Sequence, residues 1–199
     1  MTIIVGLTGG IASGKTTIVN LLRKNKLAVH DSDLVVGGIY SKPKAKFLNH
    51  LKKTSLGKSI KGKNIDKEII RDEIFNNIKK RKLLESYIHN EVKKDRSIFI
   101  KKHKQKKTKI IFLDIPLLFE KKLEKICDSI ILFYAPLTIR KKRAIRRNGM
   151  QKKILEKIIK SQLSDKVKKK KADFVIDTST NKNLCFNEVL KIIKSIKNK

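Results

Sequence analysis

The amino-acid sequence predicts an α/β fold in which helices cover both faces of a mostly parallel sheet. Short apolar runs rich in β-branched residues predict five buried strands, at 3–7, 27–33, 109–114, 129–135 and 172–177. Helical patterns separate most of these runs, and strands that alternate with helices form right-handed βαβ units. The chain has 199 residues, enough for one well-packed domain with a small inserted lobe.

The spacing of apolar residues predicts the helices in chain order. A glycine turn follows the first strand, and a helix with Ile18 and Leu22 on its apolar stripe follows the turn. A lysine-rich stretch with Gly57 and Gly62 comes after the second strand, and we expect it to be a mobile connection on the substrate side. Asp66 is placed to cap a helix that runs through Phe75.

Three further helical segments follow. One carries Leu83 to Val92, one is very basic and covers residues 138–171, and the last is the amphipathic segment 183–197. The short run "KVKKKK" at 166–171 is expected to be a solvated helix end. No internal repeat or separate linker is found, so the whole chain is predicted to form one domain.

The composition limits the class of protein. The apolar share is 40%, and no apolar run approaches the roughly 18 to 20 residues that cross a bilayer. The start, "MTIIVGLTGG", lacks the basic region and cleavage pattern of a secretory signal. Cys127 and Cys185 lie far apart and outside any Cys/His cluster, which argues against a disulfide framework and a zinc site. We therefore expect a soluble, cytoplasmic protein.

The formal net charge of +32 is of the kind found in nucleic-acid binders. However, only eight of the 50 cationic residues are arginine, and the lysines are spread along the chain without aromatic residues among them. Four of the eight arginines are Arg140, Arg143, Arg146 and Arg147. Because a guanidinium can bind phosphate oxygens with two parallel donors, this cluster indicates phosphate binding. The alternative is an exposed helix with incidental arginines.

A glycine-rich turn between the first strand and the first helix has the pattern G-x-x-x-x-G-K-[ST]. Its fixed positions are Gly9, Gly14, Lys15 and Thr16. Glycines let the backbone N–H groups of such a loop point inward, and the positive end of the next helix adds to their field, so a polyphosphate is held by fixed dipoles. We expect Lys15 to reach the β and γ oxygens and the Thr16 hydroxyl to ligate Mg²⁺.

Three carboxylates stand at the carboxyl ends of predicted strands, the edge where an open α/β sheet binds its ligands. Asp33 is expected to face the γ-phosphate. If the acceptor is an alcohol, a carboxylate is needed here to orient it and to accept its proton, whereas a phosphate acceptor would need arginines instead. Asp31 could hold Mg²⁺ through water or simply cap the next turn. Asp114 stands where P-loop enzymes keep a carboxylate near Mg²⁺, with an ordinary strand-to-turn aspartate as the alternative.

The residues together resemble one family. "LTGGIASGKTT", "DSD", Arg71 with "IF" at 74–75, "DIPLLFE" at 114–120, the Arg143/Arg147 pair, Gln162 and "ADFVID" occur in the order and spacing of dephospho-CoA kinase, over about residues 3–178. The resemblance implies a three-layer P-loop NTPase fold like that of nucleoside-monophosphate kinases. It also implies a helical CoA-binding region at about 36–105 and a lid at about 138–171.

The family transfers the γ-phosphoryl group of ATP to the ribose 3′-hydroxyl of dephospho-CoA, the last step of coenzyme A biosynthesis. The resemblance implies that Asp33 is the base, that Arg143 and Arg147 close over the phosphates, and that Mg²⁺ is required. ATP would be bound by Gly9, Ala12, Ser13, Gly14, Lys15, Thr16 and Thr17. The side chains toward dephospho-CoA would be Arg71, His89, Leu117, Leu118 and Phe119.

The chain departs from the family pattern at three places. No basic residue follows "DSD" before Lys42, Asn90 stands where proline is usual after His89, and Thr178 stands where asparagine is usual. The alternatives are another P-loop small-molecule kinase with an alcohol or nucleotide acceptor, and a nucleotide-dependent RNA-binding module. We expect no specific nucleic-acid or membrane partner, and a monomer or weak homo-oligomer.

Overall fold

A computed structural model describes residues 1–75 and 77–197. The chain divides into two compact units, unit 1 with Met1–His30 and Lys102–Lys199 and unit 2 with Asp31–Lys101. The predicted bounds of the CoA-binding region, 36–105, and of the lid, 138–171, remain predictions. Among the described residues, none of the helices has both the length and the apolar character needed to cross a membrane.

The strands and helices alternate along most of the chain. The strands are β1 Ile3–Gly9, β2 Val29–Asp31, β3 Ile60–Lys61, β4 Asn64–Ile65, β5 Ile110–Asp114, β6 Ser129–Tyr134 and β7 Phe174–Asp177. The helices are α1 Lys15–Lys24, α2 Ser32–Ser41, α3 Ala45–Lys52, α4 Lys67–Phe75, α5 Ile78–Gln105, α6 Leu137–Ile145, α7 Lys152–Ser161, α8 Asp165–Lys171 and α9 Lys182–Lys197.

The main sheet has five strands in the order β2-β5-β1-β6-β7. The central strand β1 pairs in parallel with both β5 and β6, and β6 pairs in parallel with β7. Parallel strands buried on both faces need apolar side chains at nearly every position, which is why β5 and β6 are continuous apolar runs. This sheet confirms the predicted α/β class, and all five predicted strands are found.

The core of unit 1 lies on one face of the sheet, under α1 and α9. It contains Val5, Leu7, Ile18, Leu22, Phe112, Phe133, Val189 and Ile193, each at most 4% exposed. The apolar stripes of the two helices supply about half of these side chains, as their periodicity predicts. The packing fixes where β1 ends and α1 begins, and hence the position of the turn between them.

Unit 2 has its own small core. Phe47 of α3 is stacked on Tyr87 of α5 with ring centroids 5.1 Å apart, and Leu51, Leu56 and Ile70 complete the cluster. The expectation of a mobile connection after the second strand is therefore wrong. The stretch contains α3, a short 3₁₀ turn at Ser55–Ser59 and the β3–β4 hairpin, because its sparse apolar residues are spaced so that they share one side.

One predicted helix start is confirmed, and two other predicted bounds differ from the structure. Asp66 caps α4 as predicted, since its Oδ1 accepts hydrogen bonds from the amides of Glu68 and Ile69 at 3.0 and 3.3 Å. The second strand ends at Asp31, because Ser32 already begins α2. The basic segment 138–171 is three helices and not one. Gly149 turns the chain between α6 and α7 with φ +75°, and Ser164 caps α8.

Candidate active site

The turn between β1 and α1 has the geometry of a phosphate-binding loop. Ala12 and Gly14 have positive φ, 56° and 84°, so the backbone turns sharply ahead of α1. Gly9 has no space for a side chain, since a Cβ there would lie 2.7 Å from the Phe133 carbonyl oxygen. The Ser13 hydroxyl is buried, and the described residues give it no hydrogen-bond partner. The loop therefore passes close to β6 and leads directly into the N-terminus of α1, where a helix favours an anion.

Lys15, the first residue of α1, pairs with Asp114 at the end of β5. Its Nζ donates a hydrogen bond to Asp114 Oδ1, and the two residues are only 8% and 3% exposed. A buried ammonium group is stabilised by such a partner, and the partner also fixes the direction of the side chain. The pair stands at the carboxyl ends of two adjacent strands, the edge where ligands bind in open α/β sheets.

A cavity of about 260 Å³ lies beside the loop. The residues that line it come from the phosphate-binding loop, from the predicted lid and from the segment after β7. The lining residues are Ala12, Gly14, Thr17, Ile18, Arg143, Arg147, Thr178, Thr180, Lys182 and Cys185. The structure thus brings the two predicted lid arginines together with three of the residues predicted to bind ATP. A polyanion in this cavity would meet loop amides on one side and guanidinium groups on the other.

One arginine of the cluster is bound within the protein itself. Arg140 is 5% exposed, and it donates from Nε to the Ala135 carbonyl at 2.9 Å and from Nη2 to Asp165 Oδ2 at 2.5 Å. These bonds tie the start of α6 to the start of α8. These bonds give Arg140 a structural role, its Nη1 lies beside Gly10 of the loop, and phosphate binding by the cluster remains a prediction.

The base of the lid is held by two further polar side chains of unit 1. Glu120 Oε1 accepts a hydrogen bond from the Leu163 amide at 3.0 Å and lies 2.7 Å from Nζ of Lys168, which is 1% exposed. Gln162 Oε1 accepts a hydrogen bond from the Ile11 amide at 3.1 Å. A side chain between α7 and α8 therefore contacts the phosphate-binding loop directly.

The carboxylates of "DSD" lie at the start of α2. Asp31 is the N-cap residue, with its Oδ1 accepting hydrogen bonds from the amides of Asp33 and Leu34 at 2.8 and 3.0 Å. The capping alternative for Asp31 is thus observed, and a metal role for it remains a prediction. Asp33 is exposed in the first turn of the helix, where the helix dipole favours its charged form.

The other residues predicted to face the substrate have different environments. Arg71 and His89 are exposed within unit 2. Leu118 and Phe119 are 0% and 2% exposed within unit 1, and a Cβ on Gly6 would lie 2.8 Å from Leu118 Cδ1. Leu118 is therefore packed against β1, whereas Leu117 is half-buried. The substrate-side roles of these residues remain predictions.

Unit 2 contains a larger cavity, of about 430 Å³, between α2, α3 and α5. Its lining includes Val35, Ile39, Phe47, Tyr87, Ile98, Lys42, Lys44 and Lys94. On a helix with 3.6 residues per turn, positions 35 and 39 lie on the face of α2 opposite position 33. The cavity and the Asp33 carboxylate therefore use different faces of α2.

Sequence reasoning missed the contribution of the segment after β7. Thr178 is 6% exposed and contacts the phosphate-binding loop, and Thr180, Lys182 and Cys185 line the cavity. Hydrogen bonds from Ser179 lower the pKa of the adjacent Asp177 carboxyl, with smaller contributions from Lys169 and Arg143. The sequence did contain a signal for this segment. "ADFVID" is a predicted strand, and the residues that directly follow a parallel strand lie at the edge of the sheet where ligands bind.

Comparisons with known proteins agree with this geometry. The dephospho-CoA kinase family profile matches residues 3–183. The dephospho-CoA kinase of Fusobacterium nucleatum is 37% identical over 196 residues, covering 97% of this chain and 98% of the relative. A solved Thermus thermophilus protein superposes with a TM-score of 0.78 at 27% identity, over 98% of this chain and 97% of the other.

The dephospho-CoA kinase of Campylobacter jejuni has the same fold. Its TM-score is 0.73 at 24% identity, over 100% of this chain and 98% of the other. The sequence matches run through the phosphate-binding loop, the sheet and the predicted lid in a single alignment. Neither another P-loop small-molecule kinase nor a nucleotide-dependent RNA-binding module would explain a match of this extent to dephospho-CoA kinases. The chain therefore belongs to the dephospho-CoA kinase family, and the prediction of an ATP-dependent kinase that phosphorylates dephospho-CoA in coenzyme A biosynthesis is confirmed.

Proposed function

We propose that this site transfers the γ-phosphoryl group of ATP to the ribose 3′-hydroxyl of dephospho-CoA, with the phosphates of ATP in the cavity beside Gly14. The observation that carries the proposal is that Ala12 and Gly14 of the loop line one cavity of unit 1 together with Arg143 and Arg147, next in sequence to Lys15 and its buried partner Asp114. Of the described residues that line this cavity, two are arginines, one is a lysine and none is acidic, so its field favours a polyanion.

Each group in unit 1 has a separate part in the reaction. The loop amides and the N-terminus of α1 hold the β-phosphate. The Lys15 ammonium stabilises the negative charge that develops on the bridging and γ oxygens. Arg143 and Arg147 neutralise the remaining negative charge from the lid side. Since these donors are fixed before the reaction, little reorganisation is needed in the transition state.

Asp33 acts as the general base. The bond between the acceptor oxygen and phosphorus forms while the bond from the γ-phosphorus to the β,γ-bridging oxygen breaks, and ADP leaves. The proton of the 3′-hydroxyl passes to the Asp33 carboxylate late in the transfer. The exposed position of Asp33 in the first turn of α2 leaves room for an acceptor beside its carboxylate.

The residues present fit a magnesium ion. The Thr16 hydroxyl and the Asp114 carboxylate offer hard oxygen ligands in unit 1, and Asp31 offers another in unit 2. Mg²⁺ in phosphoryl-transfer sites takes one or two protein ligands and completes its shell with phosphate oxygens and water. The described residues contain no group of three or more His, Cys, Asp or Glu side chains that could hold a metal alone, so these residues would hold it together with ATP. When bound, the ion neutralises the charge shared by the β- and γ-phosphates.

On the substrate side, we propose that Arg71, His89 and Leu117 contact dephospho-CoA. The exposed Arg71 and His89 side chains are available to an anionic ligand. Residues 117–119, which follow β5, would form one wall of the substrate site. We also propose a cytoplasmic enzyme that works as a monomer or a weak homo-oligomer.

The test measures ADP release by the purified protein with ATP and Mg²⁺, with and without dephospho-CoA, and determines the mass of the product. We expect dephospho-CoA to stimulate ADP release and to gain one phosphate. Phosphorus–proton coupling in the NMR spectrum of the product then locates the phosphate. Coupling to H3′ supports the proposal, and coupling to another ribose proton contradicts it.

A further inference from the structure

Thr178 contacts three separate parts of the site, although it belongs to no helix or strand. Its amide donates to the Tyr134 carbonyl at 2.7 Å, its hydroxyl donates to the Ser13 carbonyl, and its own carbonyl accepts from Arg143 Nη2 at 2.7 Å. Tyr134 ends β6, Ser13 is in the phosphate-binding loop and Arg143 is in the lid. One residue thus joins the sheet, the loop and the lid.

The direction of the Thr178 hydroxyl proton follows from its neighbours. The Ser13 and Tyr134 carbonyl oxygens are both within reach, the second at 2.9 Å, but a hydroxyl has only one proton. The Tyr134 oxygen already accepts the Thr178 amide proton. The Ser13 oxygen is therefore the acceptor that most needs the hydroxyl, because a buried carbonyl without a donor is costly.

Holding the Ser13 carbonyl also determines where the next amide points. In a planar trans peptide the C=O and the N–H point in opposite directions. A hydrogen bond that directs the Ser13 C=O to Thr178 therefore turns the Gly14 N–H away from Thr178. Gly14 has φ +84°, and a Cβ at this position would lie 3.1 Å from Thr178 Oγ1. Thr178 thus controls the Ser13–Gly14 peptide, one residue before Lys15.

The carbonyl of Thr178 acts on the lid arginine in a similar way. It binds Nη2 of Arg143, and the described residues offer no hydrogen-bond partner to the buried Nη1. A Cβ on Gly14 would be 3.5 Å from this Nη1, so the unsatisfied nitrogen lies beside the loop. One half of the guanidinium is anchored, and the other half is left for a ligand.

We propose that Thr178 is a positioning residue for ATP, whose hydroxyl orients the Ser13–Gly14 peptide and whose carbonyl orients Arg143. The inference rests on the proposed function of the loop and of Arg143. It adds a residue that affects ATP binding through these groups and does not contact ATP itself.

The test compares Thr178→Val, which keeps the shape and removes the hydroxyl, with Thr178→Ser, which keeps the hydroxyl. We expect Thr178→Val to weaken ADP binding by calorimetry and to raise the KM for ATP, each by about tenfold, which is the scale of one buried carbonyl left without its donor. The KM for dephospho-CoA should change less than about twofold. Thr178→Ser should restore ADP affinity to within about threefold of the unsubstituted protein.

Thr108→Val is the matched control. Thr108 also belongs to unit 1 and its hydroxyl also has a side-chain partner, His103 at 3.0 Å, but it precedes β5 at the opposite edge of the sheet. We expect it to leave ADP affinity unchanged. The inference is overturned if Thr178→Val binds ADP normally, or if Thr178→Ser is as weak as Thr178→Val.

ADP binding separates this inference from the proposed function. A protein that binds ADP but does not phosphorylate dephospho-CoA would contradict the proposed acceptor, while the order of ADP affinities among the variants would still decide the role of Thr178. A fall in melting temperature without a change in ADP affinity would show a structural role only and would overturn the inference.

Discussion

Lys15 Nζ donates a hydrogen bond to Asp114 Oδ1, and both residues are almost fully buried. The first begins α1 and the second ends β5, so the pair links the phosphate-binding loop to the neighbouring strand. Breaking a buried ion pair leaves an uncompensated charge, whereas removing both charges is much better tolerated. The two residues must therefore be tested together to separate catalysis from stability.

We expect Lys15→Met to reduce turnover by at least about a hundredfold, because a charge that stabilises the transferring phosphate is lost. It should also lower the free energy of unfolding by about 3 kcal/mol, because the buried Asp114 carboxylate loses the Lys15 ammonium. Steady-state kinetics and urea denaturation measure the two effects.

The double variant Lys15→Met/Asp114→Asn separates the two effects. We expect it to recover most of the lost unfolding free energy, since no unpaired charge remains, but none of the turnover. If the double variant regained activity together with stability, the loss in Lys15→Met would be a folding defect, and the proposed catalytic role of Lys15 would be wrong.

Asp33→Asn tests the general base. The amide keeps the size of the side chain but cannot accept the proton, so kcat should fall at least about a hundredfold while the KM for ATP stays within about twofold. Asp66→Asn is the control, because Asp66 is also an aspartate near a helix N-terminus of unit 2 and asparagine caps as well as aspartate. Near-normal turnover of Asp33→Asn would remove this residue from the catalytic role.

The sequence was sufficient for the features that depend on local patterns. The strands are continuous apolar runs, and the loop is set by glycines and a lysine at fixed spacing, so both could be read without knowledge of the tertiary structure. The small core of unit 2 was missed, because Phe47, Leu51 and Leu56 stand among many lysines. Their spacing on one side of α3 and the 3₁₀ turn is a weaker signal than the charge around them.

The parts of the site that depend on distant contacts could not be predicted. The Thr178 hydroxyl and the Ser13 carbonyl are 165 residues apart in the sequence. No local sequence pattern predicts that a threonine will donate a hydrogen bond to a carbonyl of a distant loop. The different environments of Arg140 and Arg143 could not be predicted for the same reason. Arg140 and Arg143 have identical side chains in one helix, and only the positions of Asp165 and Thr178 decide which is structural and which faces the cavity.

Arg147→Lys and Arg140→Lys should therefore have different effects. Arg147 lines the cavity, so loss of its planar pair of donors should raise the KM for ATP about tenfold with little change in the melting temperature. Arg140 bonds Ala135 and Asp165, so its replacement should lower the free energy of unfolding by about 1–3 kcal/mol.

Arg23→Lys is the control for both variants, because Arg23 lies in α1 outside the cavity lining. It should match the unsubstituted protein in ATP KM and in melting temperature. Equal and small effects of Arg147→Lys and Arg23→Lys on the KM for ATP would contradict the inference that arginines are clustered in the lid for phosphate binding.

The Glu120–Lys168 pair should contribute to stability at the base of the lid. Lys168 is 1% exposed, so Lys168→Met keeps the apolar part of the side chain but leaves Glu120 without its cation. We expect the free energy of unfolding to fall by about 3 kcal/mol. The exposed pair of Lys171 and Glu124, 3.0 Å apart, gives the comparison, and Lys171→Met should cost less than about 1 kcal/mol.

Salt provides a second distinction between the two pairs. Ions screen exposed charges much more than buried ones, so 0.5 M KCl, a concentration with a Debye length of roughly 4 Å, should abolish the effect of Lys171→Met and leave that of Lys168→Met. Urea denaturation at low and high salt measures this difference. A Lys168→Met variant as stable as the unsubstituted protein at both salt concentrations would show that Glu120 is satisfied by the Leu163 amide alone.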